Sequence, residues 1–148
     1  MLKTHLAISS ALMLFFLPHV AHKLVFVPVL LFATLLPDID SMYSTLGHHW
    51  LFRPMQFFVR HRGLIHSLTI CLILSLAFAF YIPVVALPFF LGYMSHLVGD
   101  SFTQEGVRFF WPFRELTSGR IRTGGVFEDG VFYSALLANI VLLLVLFM

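Results

Sequence analysis

Apolar residues fall along the chain in five runs, about Thr4–Leu17, Leu24–Leu36, Leu64–Ile82, Val84–Phe102 and Val131–Met148, and most of the charge lies between them. Their length and lack of strict alternation predict helices. A helix that crosses a bilayer needs ~20 apolar residues, so the first two runs are short and require tilting, polar extension or partial insertion. Pro18 and Pro37 close the first and second runs, and Pro83 separates the third from the fourth. Pro88 falls near the start of the fourth, where a helix tolerates it best.

Two connecting stretches have patterns of their own. In Trp50–Arg60, Leu51, Met55 and Phe58 share one helical face and Arg53, Gln56 and Arg60 another. That predicts a short helix in the headgroup region, with Pro54 in its first turn. Gln104–Phe127 mixes Trp111 and Phe113 with four arginines, and Arg122–Gly125 (RTGG) predicts a turn leading into the last helix.

Composition makes the membrane reading firm. Of 148 residues, 59% are hydrophobic and 11% charged, and the mean hydropathy of +0.94 lies far outside the range of soluble domains. The net charge of +2 comes from basic residues scattered among Phe and Trp rather than from a polybasic run, so it marks topology and not nucleic-acid binding. Cys71 stands alone, which rules out a disulfide framework and a thiolate metal site. No long linker or repeat divides the chain, so residues 1–148 are expected to form one domain. Lys3 followed by Leu6–Leu17 has the outline of a signal peptide, but cleavage after Ala21 would put His19 at the minus-three position, where a small residue is wanted. An uncleaved first helix is expected. The predicted fold is an all-α, polytopic membrane bundle of about five helices plus the short interfacial helix.

With five spans, one side receives Lys3, Arg53, Arg60, Arg62, Arg108, Arg114, Arg120 and Arg122, and the other Lys23 alone. The positive-inside rule then places the N-terminus in the cytoplasm and the C-terminus outside. All the acidic residues fall at the cytoplasmic ends, as do His5, His61, His66 and His96. His19 and His22 lie opposite and are discounted as ligands. His48 and His49, beside Trp50, read as interfacial residues.

The strongest candidate for chemistry is His96-x3-Asp100, within GYMSHLVGDSFT. At 3.6 residues per turn both side chains lie on one face and can reach one ion. Ionisable groups in a membrane helix cost roughly 2.5 kcal/mol or more near the bilayer centre, so they are read as functional. The competing reading is a helix–helix hydrogen bond. LLPDID carries Asp38 and Asp40, whose side chains would face the same way in an extended segment; a solvated helix end with a Pro-Asp turn is the alternative. HRGLIHS offers His61, His66 and Arg62, with Arg62 able to grip a phosphate or carboxylate bidentately. Two interfacial histidines and a topology arginine would look the same. Glu128 and His5 are the weakest candidates taken singly, with Thr4 and Asp129 as neighbours or caps. Together, oxygen and imidazole donors without thiolate suit Zn, Mn or Fe, and there are enough of them for one or two ions.

The order of these motifs, a histidine, LLPDID, HRGLIHS, GYMSHLVGDSFTQEG with WPF following, then GGVFE, resembles the membrane-bound, metal-dependent hydrolase family of the YdjM type, whose bacterial members include LexA-regulated inner-membrane proteins. The resemblance runs from His5 to about Glu128. It implies functional roles for His5, Asp38, Asp40, His61, His66, His96, Asp100 and Glu128. The HxxxD element also looks like one in zinc-dependent phospholipases of the C type, which points to a phosphoester substrate.

The expected function is hydrolysis of a lipid-borne ester or phosphoester at the cytoplasmic interface, using water activated by one or two divalent ions, zinc foremost. Asp40 and Glu128 are candidate general bases, and Arg62 would hold the anionic group. A membrane lipid or other amphiphile is the expected partner. Two alternatives use the same residues: an ion or metal transporter, and a non-catalytic membrane protein whose helices a metal staples together.

Overall fold

The computed structural model describes residues 1–40, 64–113 and 115–148. Among them are five α-helices and no strand. Helix α1 (Leu2–Phe16) runs into a 3₁₀ turn at Leu17–His19, and α2 (Lys23–Leu35) into another at Pro37–Asp40. Then come α3 (Leu68–Tyr81), α4 (Pro83–Ser101) and α5 (Val126–Phe147). The expected interfacial helix at 50–60 lies outside the described residues.

Three boundaries differ from expectation, each for a local reason. The third helix begins at Leu68 rather than Leu64, because Ser67 caps it and accepts a hydrogen bond from the Ile70 amide. The fifth begins at Val126 rather than Val131, straight after Gly124–Gly125, so Glu128 and Asp129 fall in its first turn. Carboxylates are favoured there by the helix dipole. Asp38 and Asp40 sit in a 3₁₀ turn, not an extended segment. Residues two apart in such a turn diverge by about 120°, which removes the alternation argument for pairing them.

Helix α4 is the centre of the packing. It lies against α2, α3 and α1, while α5 packs on α1. The core is formed by Tyr93, Leu97 and Phe89 of α4 with Ala33 of α2 and Cys71 of α3. Gly92 is what lets α4 come so close to α2. A Cβ there would stand 2.1 Å from the Leu30 carbonyl oxygen and 3.1 Å from the Ala33 Cβ. Small residues at such contacts are the usual means of joining helices in lipid, where burying apolar surface gives no net drive. Helix α5 is pinned to α1 by Asn139, whose Nδ2 donates to the Ala7 carbonyl at 2.9 Å.

Exposed apolar side chains cover the outside, including Phe15, Phe32, Leu76, Phe80 and Leu144. Patches of this extent mark a surface that meets something other than water. Among the described residues one helix, α5, is long and apolar enough to cross a membrane, and little of it is buried in protein. Its 22 residues span about 33 Å, enough for a ~30 Å hydrocarbon core. The five-span expectation thus has one clear span here. Helices α1 to α3 are shorter, and α4 spends its last turns on Ser95, His96 and Asp100.

The Gly92 contact is with backbone, which cannot rotate away. Gly92→Ala should therefore destabilise the protein by about 3 kcal/mol, the upper part of the overpacking range. Thermal or denaturant unfolding in detergent checks this, with Gly130→Ala as control, because a Cβ at Gly130 meets nothing within 4 Å.

Candidate metal centre

The alternation of helix direction brings the start of α1, the end of α2, the approach to α3 and the end of α4 to one end of the bundle. Each delivers one or two polar side chains there. His5 comes from the first turn of α1, Asp38 from the turn after α2, His66 from the turn before α3, and His96 and Asp100 from successive turns of α4. His5, His66, His96 and Asp100 are buried and Asp38 is partly exposed.

Asp100 is the hub. Its Oδ1 stands 3.1 Å from His5 Nε2, and its Oδ2 stands 3.7 Å from both His66 Nε2 and His96 Nε2. Asp38 Oδ1 is 3.9 Å from His96 Nε2. The His5 ring stacks on His96 with centroids 4.1 Å apart and 19° between planes. Two overlapping groups result, His5–His96–Asp100 and Asp38–His66–His96, each with one ligand atom per residue within 4.8 Å of the others.

These separations bear on whether the residues fit an ion. His96 Nε2 is buried and has no hydrogen-bond partner, since both nearby carboxylates are too far away. Two ligands at ~2.1 Å from a tetrahedral zinc ion lie about 3.4 Å apart, within the spread observed here. A buried imidazole nitrogen that faces two carboxylates at this range is arranged for a shared cation, and the set of nitrogen and oxygen donors suits one. The residues fit a divalent metal.

Behind the ligands runs a polar layer that the sequence reading did not single out. Thr34 donates to Ser9 at 2.9 Å, Ser9 and Ser95 share a hydrogen bond of 2.7 Å, and Ser95 reaches the Gly92 carbonyl at 2.7 Å. This chain joins α2, α1 and α4 just below the site. Ser9 is one turn from His5, Thr34 is four residues before Asp38, and Ser95 adjoins His96. Polar residues beside or one turn from His5, Asp38 and His96 were the available clue. Tyr93, buried in the core, donates its hydroxyl to the Ile65 carbonyl and so fixes the turn that carries His66.

The expected site residues divide accordingly. His5, Asp38, His66, His96 and Asp100 come together. Glu128 comes close but has other partners: its Oε1 accepts from Thr4 at 2.8 Å and its Oε2 from the Gly124 amide at 2.6 Å. It belongs to neither ligand group. In this position it joins α1 to the start of α5. His61 and Arg62 lie outside the described residues, as does the side chain of Asp40. His19 and His22, discounted as ligands, are exposed.

Over residues 1–148 the chain matches the family described as YdjM inner membrane protein. It belongs to that family. Membership places it in the inner membrane, in keeping with a composition that called for a membrane. It is 38% identical over 97 residues to Inner membrane protein YdjM of Escherichia coli (strain K12), an alignment covering 60% of this chain and 50% of that relative. The figures for Inner membrane protein YdjM of Shigella flexneri are the same. The matched region thus spans about half the length of these curated relatives. No solved structure matches the chain.

Gly99 gives a direct test of the centre in this family member. A Cβ there would lie 2.8 Å from both Nδ1 and Cε1 of His5, so the ring must move. Gly99→Ala should lower metal affinity by about 10-fold or more, the size of effect expected when a ligand's support is disturbed. Isothermal titration with zinc, read beside circular dichroism to confirm folding, checks this.

Proposed function

We propose that the protein is a polytopic inner-membrane hydrolase that depends on a divalent metal and acts on a lipid-borne ester or phosphoester. The observation that carries this reading is the buried convergence of His5, His66, His96 and Asp100, with Asp38 at its edge, around a His96 nitrogen that no hydrogen bond satisfies. When bound, a divalent ion supplies Lewis-acid activation of water and of the oxygen of the scissile bond. His96 and Asp100 would hold it from one helix face, with His5, His66 and Asp38 completing the set. Asp100 presents a different oxygen to His5 than to His66 and His96, so it is placed to serve both ligand groups. The hydroxyls of Thr34, Ser9 and Ser95 hold the three helices that carry ligands in register. Asp38, the most exposed of the five, lies where a substrate group can approach.

Exposed apolar faces on α1, α2 and α3, as well as on α5, support several helices lying in lipid. The distribution of Lys and Arg supports a cytoplasmic N-terminus and site, with the C-terminus outside. Arg62 and Asp40 keep their proposed roles as anion holder and general base. A second reading is favoured by the fact that the ligands come from four separate elements: an ion there would staple α1, α2, α3 and α4 and couple binding to folding.

Three expected outcomes follow from this reading. Purified protein should contain near-stoichiometric metal and hydrolyse one or more members of a panel of phospholipids and phosphorylated lipid intermediates, with loss on chelation and recovery on adding zinc. Absence of turnover across the panel with metal bound would favour the staple. Asp100→Asn should lower kcat/KM by about 100-fold or more; if it instead unfolds the protein and no activity exists to lose, the staple reading stands. A reporter fused after Met148 should be active only when it functions outside the cytoplasm, and cytoplasmic activity would overturn the orientation.

A further inference from the structure

Beside the ligand cluster, between α1, α4 and the start of α5, lies a cavity of ≈ 530 Å³. Its wall is almost wholly apolar, built from Ile8 and Leu12 of α1, Leu91 and Val98 of α4, and Val131 of α5. The polar groups that reach it sit mainly toward the ligand end and are mostly engaged with each other or with backbone. Thr4 donates to Glu128, and Ser95 to the Gly92 carbonyl. His5 differs from these. Its Nε2 faces Asp100, while its Nδ1, close to Gly99, is buried and has no hydrogen-bond partner; His5 and Gly99 both line the cavity. His5 is thus the wall shared by the cavity and the candidate metal centre.

Water needs two to four polar partners to occupy a cavity, and this wall offers almost none. A conducting path for ions has the same requirement. The volume lies within the range of small-molecule sites. If each methylene takes about the ~30 Å³ of a water molecule, 530 Å³ holds one chain of roughly 18 carbons. The opening faces sideways: Val98, Phe102 and Val131 line the cavity and are also exposed on the outer surface, beside the membrane-spanning α5. An apolar slot that opens toward lipid and ends at a histidine has the shape of a receptor for hydrocarbon with a polar end.

We infer that this cavity receives a single aliphatic chain of a membrane amphiphile and brings the polar end of that molecule to His5 and Asp100. The inference rests on the hydrolase reading above and narrows its substrate class. The reacting lipid enters with one chain in the slot, any second chain staying in the bilayer, and short-chain esters lack the contacts that place the scissile bond.

The test uses the full chain in vesicles of phosphatidylethanolamine and phosphatidylglycerol, with a palmitoyl lysophosphatidylglycerol that carries a diazirine in its chain. After photolysis, peptide mapping should concentrate the label on α1 and α4 around Leu12, Leu91 and Val98. Unlabelled palmitoyl lysolipid should compete and a butanoyl analogue should not. Ile8→Trp and Val98→Trp fill the slot from opposite walls and should each reduce that label by about fivefold or more, with wild-type helicity as the folding control. Label scattered over the outer face of α5, with no chain-length dependence in competition, would overturn the inference even if both tryptophan variants failed to fold. Failure of the hydrolase reading is seen separately, as wild-type protein without metal or turnover; a slot label that persists in that case still upholds chain binding.

Discussion

The structure depends on the burial of the Asp100 carboxylate among three imidazoles. A charge removed from water at this depth costs several kcal/mol unless other groups answer it, and removing one partner of such a set is far more damaging than replacing the set as a whole. His5 stands within hydrogen-bond range at 3.1 Å, and His66 and His96, from two further elements, stand at 3.7 Å, a spacing suited to sharing a cation with it. The cluster joins the first part of α1, the last turns of α4 and the turn before α3, which Tyr93 holds through the Ile65 carbonyl.

Helices that carry such a cluster must pack closely and without slack. In lipid the packing cannot come from expelling water, so it comes from small residues and interhelical hydrogen bonds. Gly92 admits the α2 backbone, Gly99 admits the His5 ring, and the Thr34–Ser9–Ser95 chain ties three helices beneath the ligands. Asn139 and Glu128 extend the same approach to α5, one near its middle and one in its first turn. Lys3 adds an ion pair to Asp129 at 2.7 Å, and the exposed apolar surface of α5 is the clearest membrane-spanning feature among the described residues. The cavity lies where α5 leans on α1 while α4 is held centrally by α2 and α3.

Much was legible in the sequence because membrane helices announce themselves by composition and because an i, i+4 pair has one geometry. Five apolar runs gave five helices in the right order, and His96 with Asp100 had to share a face whatever else the chain did. Family membership was legible in the spacing of several motifs. The boundaries near Leu64 and Val131 were not, since a serine cap and a double glycine shift a helix end without changing the apolar pattern. The polar layer was overlooked because Ser9, Thr34 and Ser95 are unremarkable singly and acquire a role only from one another.

By itself, then, the sequence determined a helical membrane protein with its acidic residues and several histidines expected at one end, because hydropathy and helical periodicity are local properties. Which of those groups meet was a matter for the tertiary structure alone. Glu128 turned to Thr4 and Gly124, Asp38 reached His96 from a 3₁₀ turn, and His5, among the weakest candidates in the sequence, became the neighbour of Asp100. Contacts between residues 95 positions apart depend on how closely helices approach and how they are rotated, and neither is written in any one segment.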